Sequence, residues 1–165
     1  MGIDVEKNSV VPTGLQGVPW FDGCTEAELA EVAKRCERLA IDEGEVILRE
    51  GRLGRELFVI LSGRAAVTQA GHVVNTLGPG EHFGELAAID SAPRSATVTA
   101  LTDLDVLIIG PREFGAMAEI PGFRDELLKS MALRLRTADA RLAAALDDEQ
   151  ATLTNRDAEH DAGTR

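Results

Sequence analysis

The 165-residue sequence contains no apolar run approaching the roughly 18 consecutive residues that a membrane-crossing helix needs, so no transmembrane helix is expected. No basic stretch followed by an apolar one stands at the amino end, which argues against a secretory signal. Cysteine occurs only twice, at Cys24 and Cys36, in a spacing that fits neither a zinc site nor a CxxC pair. A reduced, cytoplasmic chain is the expectation. Histidine is confined to His72, His82 and His160, which form no metal-ligand spacing. Basic residues are also scarce: 17 stand against 28 acidic ones, a net charge of −11. A surface of that sign repels a phosphate backbone, so nucleic acid is not an expected partner. One small anion in a local pocket is a different matter, because an arginine and a few backbone N–H groups can overcome a diffuse, screened field. The nucleophile-elbow pattern GxSxG is absent and no nucleophile–base pair stands out, so catalysis is not expected either.

What remains is the composition of a soluble globular protein, 44% hydrophobic and 27% charged. Residues 1–13 lack periodicity and read as a flexible leader. Thr25 with Glu28 forms a capping box, and Leu29, Val32, Ala33, Cys36 and Leu39 then fall on one helical face. On that reading Cys36 is a core residue rather than a reactive thiol, and Trp20 with Phe21 packs the helix onto the rest of the domain.

From Glu45 to Gly110 short runs rich in Val, Ile, Leu and Thr alternate with glycine turns. Strands are predicted at Glu45–Arg49, Leu57–Ser62, Ala65–Gln69, Val73–Leu77, Ser95–Leu101 and Val106–Ile109. No helix-length segment separates them, which excludes a parallel α/β sheet and points to an antiparallel β-roll or jelly roll, mainly β with flanking helices. Such a barrel suggests a cupin, but the histidine cluster a cupin needs is missing. After Gly110 the pattern turns helical again, with a short helix over Arg112–Glu119 and a long one over roughly Phe123–Leu146. In the long helix Leu128, Met131, Leu135, Ala138, Leu142 and Ala145 follow a 3-4-3-4-3 spacing. That stripe has two readings, a seam for a weak homodimer or a face packed on the chain's own barrel. Residues 147–165, with six acidic and two basic side chains and little apolar content, read as a disordered acidic tail.

One segment breaks the strand rhythm. After the turn Gly78–Gly80 come Phe83 as an apolar anchor, Gly84 with no Cβ, and a helix-forming run from Glu85 to Ile89. Pro93 ends it, and Arg94-Ser95 lead into a strand. Backbone N–H groups approached closely at Gly84, the planar fork of Arg94 and the hydroxyl of Ser95 make an anion site, while acceptor-only Glu85 suits a neutral hydroxyl. The residues alone leave two readings open: a small phosphorylated sugar bound here, or a surface pair of Glu85 with Arg94 beside a turn glycine.

Phe83-Gly84-Glu85-Leu86-Ala87 followed by Pro93-Arg94-Ser95-Ala96-Thr97-Val98 closely resembles the phosphate-binding cassette of the cyclic-nucleotide-binding domain family. Gly44, Gly51 and the stretch Leu57–Gly63 resemble that family's barrel glycines and hydrophobic strand, and the resemblance extends over about Leu15–Leu146. It implies a binding domain over residues 14–146 whose ligand is cAMP, with cGMP as the alternative, and no further cofactor. It further implies that Glu85 accepts from the ribose 2′-OH, that Arg94 pairs with the exocyclic phosphate oxygens, and that Ser95 and the backbone near Leu86, Ala87 and Ala96 complete the cradle. Val74 is the candidate wall of the purine site, and Arg134 or Thr137 the candidate cap from the long helix. The sequence has neither the length nor the basic helix for the helix-turn-helix domain of the family's bacterial transcription factors. The expectation is therefore a sensor module that moves its last helix toward an unknown effector protein, the alternative being a ligand-free interaction module on the same fold.

Overall fold

The computed structural model describes residue 15 and residues 17–162, with side chains as far as residue 153; the leader expected over 1–13 lies outside them. The chain divides after Glu126 into two units. In the first, a 3-10 turn at Pro19–Phe21 precedes helix α1 (Glu26–Ala33) and strands β1 (Glu37–Ile41), β2 (Val46–Leu48), β3 (Leu57–Ser62), β4 (Ala65–Gln69), β5 (His72–Leu77) and β6 (His82–Phe83). Helix α2 (Glu85–Asp90), strands β7 (Thr97–Ala100) and β8 (Leu104–Ile109) and helix α3 (Pro111–Ala118) follow, and helix α4 begins at Pro121. The capping box forms as expected, with Glu28 N–H donating to Thr25 Oγ1 at 3.3 Å and Thr25 N–H to Glu28 Oε2 at 2.7 Å.

Among the described residues the strands make two antiparallel sheets, in the orders β1-β8-β3-β6 and β2-β7-β4-β5. Ile41, Phe58, Ile60, Phe83, Leu104 and Val106 from the first sheet meet Leu48, Ala65, Leu77, Val98 and Ala100 from the second in one buried cluster. Strand alternation turns Leu57, Val59, Leu107 and Ile109 to the opposite face of the first sheet, where all are fully buried as well. That second burial explains why β3 reads as an unbroken apolar run. His82 pairs in register with Val59, and Trp20 lies against His82 with ring centroids 3.7 Å apart and the planes tilted by 37°. Trp20 also meets Phe123 edge-on at 5.6 Å, and Phe114 meets Phe123 at 6.2 Å, so the 3-10 turn, α3 and the first turn of α4 share an aromatic cluster on this face.

Three expectations change. The first helix stops at Ala33, so Cys36 and Leu39 are not on its face. Leu39 belongs to β1, because residues 37–41 find five partners on β8 and Arg38 forms an ion pair with Asp105 of that strand. Cys36 is half-buried in the connection, and burial, with Glu113 nearby, pushes its thiol up to about 12, which leaves it inert for another reason than the one expected. The two-residue strand β6 was not predicted. In the second unit α4 continues through the expected acidic tail to Ala162, since no glycine or proline interrupts residues 123–162. No described helix is long and apolar enough to cross a membrane, and no group of His, Cys, Asp or Glu among the described residues could hold a metal ion.

Candidate functional site

Gly84 ends β6 with φ +86° and ψ 0°, the left-handed region where a Cβ is strained. A Cβ there would also lie 2.8 Å from Glu56 O and 2.9 Å from Arg94 Nη1. Glycine at this position lets three backbone segments converge. Arg94 is held from both sides: its N–H donates to Arg52 O at 2.8 Å, and its carbonyl accepts from Gly51 N–H at 2.8 Å. Its side chain runs inward and is only 4% exposed. Nη1 donates to Glu56 O at 2.9 Å and to Gly84 O at 3.1 Å, and Nη2 donates to Glu56 Oε2 at 3.1 Å. Burial lowers the affinity of this guanidinium for its proton, and the carboxylates of Glu56 and Glu85 oppose that loss. An arginine stays protonated under such a balance. The result is a buried cation anchored to the strand and loop backbone.

Phe83, buried and stacked on Phe58 with centroids 5.0 Å apart, fixes the start of the segment. Glu85, the first residue of α2, is buried at 2% exposure, so the reading of a surface pair with Arg94 does not hold. Leu86 is exposed, Ala87 is buried, and Ala96 is half-buried. Ser95 is exposed, and its carbonyl accepts from Gln69 Nε2 at 2.9 Å, tying the segment to β4. Val74 stands partly exposed on β5. Arg134 and Thr137 belong to the second unit, where Thr137 Oγ1 donates to Leu133 O at 2.9 Å within α4. The sequence reading missed Gly54 and Glu56. A Cβ at position 54 would lie 2.9 Å from Arg94 Nη2, and Glu56 supplies both a carbonyl and a carboxylate to the guanidinium. The only sequence signals were a glycine in a turn-rich loop and a charge just before an apolar strand.

A buried arginine fork beside a glycine that admits close backbone approach suits an anionic group, and the buried carboxylate next to it suits a hydroxyl donor. Comparison with known proteins agrees in kind. The family profile described as "Cyclic nucleotide-binding domain" matches residues 38–120. A cyclic nucleotide-gated potassium channel of Rhizobium etli is 34% identical over 122 residues, covering 74% of this chain and 34% of the channel. The catabolite activator protein of Thermus thermophilus superposes with a TM-score of 0.70 at 30% identity, over 75% of this chain and 61% of that one. The regulatory domain of Toxoplasma gondii PKA, solved with cAMP, does so with a TM-score of 0.64 at 27% identity, over 72% and 47%. This chain thus spans about a third of the channel's length and less than two thirds of either solved chain. With the two-sheet fold, the Gly84–Arg94 geometry and the profile match all in place, the chain belongs to the cyclic nucleotide-binding domain family.

Proposed function

We propose that the chain is a sensor module that binds a cyclic mononucleotide, with cAMP the expected ligand and cGMP the alternative. The observation that carries this reading is Arg94, a buried guanidinium held by backbone carbonyls next to Gly84 and the buried Glu85. In the reading, Arg94 and Ser95 take the exocyclic phosphate oxygens together with the backbone N–H groups of Leu86, Ala87 and Ala96. Glu85 accepts from the ribose 2′-OH, and Val74 borders the base. Arg134 or Thr137 caps the base once α4 moves. Transmission through α4 is a population shift, no larger than the difference in ligand affinity between the two states. The cAMP bound in the Toxoplasma regulatory domain supports the choice of ligand.

Calorimetric titration with cAMP and cGMP tests the reading. The Arg94→Ala variant is expected to lose on the order of 2–5 kcal/mol of binding free energy, the cost of truncating one partner of a buried charge pair. Affinity within threefold of the wild type overturns the assignment. One observation favours a second reading, a ligand-free interaction module: Arg94 already has a carboxylate partner in Glu56. That reading expects no heat from either nucleotide.

A further inference from the structure

Two of the three hydrogen bonds that hold the Arg94 guanidinium go to the backbone. Both contacts of Nη1 are backbone carbonyls, Glu56 O and Gly84 O, and they fix the guanidinium plane. The carboxylate of Glu56 is therefore surplus to that task. It sits instead on Nη2, 3.1 Å away. Nε and Nη2 form the side-on edge of the fork, the edge that takes two oxygens of a phosphate or carboxylate. Gly54 keeps this edge open, since a Cβ there would lie 2.9 Å from Nη2 and 3.1 Å from Nε. The Glu56 side chain is half exposed, at 52%, and stands just before β3; besides Nη2, its Oε2 accepts only from the exposed Arg55 N–H, at 3.1 Å, so its departure breaks two hydrogen bonds at the surface and none in the core.

We infer that Glu56 is a built-in competing anion: its carboxylate occupies the Nη2 end of the Arg94 fork in the unliganded chain and is exchanged for the ligand's phosphate on binding. The inference rests on the cyclic nucleotide reading above and adds a residue that sets affinity. A carboxylate left in place would face an incoming phosphate across one guanidinium, and like charges at that range repel. Exchange costs the ligand the ion pair it displaces. The chain is therefore tuned to respond at a higher nucleotide concentration than its phosphate site alone would set.

The test is titration of wild type, Glu56→Gln and Glu56→Ala with cAMP, at low salt and at about 1 M salt, where the screening length is about 3 Å. Both variants are expected to bind about twofold to fivefold tighter than wild type, the range of a partly exposed ion pair, and to keep most of that gain at high salt. Unchanged or weaker binding in the variants, with wild type binding normally, overturns the inference alone, because it would make Glu56 a positioning group for Arg94. A gain that vanishes at high salt also overturns it, since that marks a diffuse field rather than displacement. Binding by the variants but not by wild type supports both the inference and the functional reading. Failure of all three proteins to bind any cyclic nucleotide overturns the functional reading itself.

Discussion

Glu85 and Arg94 show how differently two buried charges of one cassette can be employed. Arg94 is surrounded by acceptors and offers the edge left over, whereas Glu85 is an acceptor at the first turn of α2 and has no affinity for a phosphate. If Glu85 serves the ribose hydroxyl, Glu85→Gln weakens cAMP by about 1.5–3 kcal/mol, the worth of a hydrogen bond to a charged group, and leaves 2′-deoxy-cAMP nearly unaffected. Parallel titrations of the two ligands check this. Equal losses for both would make Glu85 a structural support of the cassette. Gly84, Glu85 and Arg94 were legible in the sequence because one short segment carries them and each residue type has a narrow use there. Glu56 was not legible. It meets Arg94 across 38 residues of chain, and only tertiary contacts, the pairing of β3 with β6 and the backbone bonds of Arg94 to Gly51 and Arg52, bring the two together.

At the scale of elements, legibility followed the periodicity. The strands β3 and β4 lie where alternation and flanking glycines put them, α2 runs one residue further than expected and α3 is shifted by one residue at both ends. The failures share one cause: competition that a local pattern does not contain. Residues 37–41 carry a helix-compatible spacing, yet their pairing with β8 outweighs one more helical turn. The charged composition of 147–162 suggested disorder, while the absence of any helix breaker was the better signal. Along α4 the side chains of Leu128, Leu135 and Leu142 are 60%, 63% and 61% exposed, a row of leucines at seven-residue intervals. We expect this row to form a weak homodimer seam, thin because Ala138 and Ala145 forgo roughly 0.8 kcal/mol for each missing buried CH₂. Sedimentation at high micromolar concentration should show dimer in the wild type, reshaped by cAMP, and monomer in the Leu135→Glu, Leu142→Glu double variant. A wild type that stays monomeric with and without ligand removes the seam.

For the molecule as a whole, binding and stability are linked, because a ligand that recognises only the folded cassette must stabilise the fold that builds it. At 100 times its dissociation constant, cAMP should add about 2.7 kcal/mol and raise the melting temperature accordingly, and 5′-AMP at the same concentration should add far less. Equal shifts with both nucleotides would mean that the site reads an adenine or a phosphate but not the cyclic diester. The strand order has a consequence for how this chain comes to be folded at all. β1 waits for β8, with Glu37 opposite Ile108, and β2 waits for β7, with Val46 opposite Thr99. Among the described residues only the hairpin of β4 and β5 is local. On a ribosome, therefore, the first two strands leave the tunnel with no hydrogen-bonding partner yet made, and they stay unpaired until about 50 further residues for β2 and more than about 60 for β1 have been synthesised. Over that interval the nascent chain exposes the apolar run Leu57–Leu61, and a pause in translation anywhere between β3 and β7 prolongs its risk of aggregation.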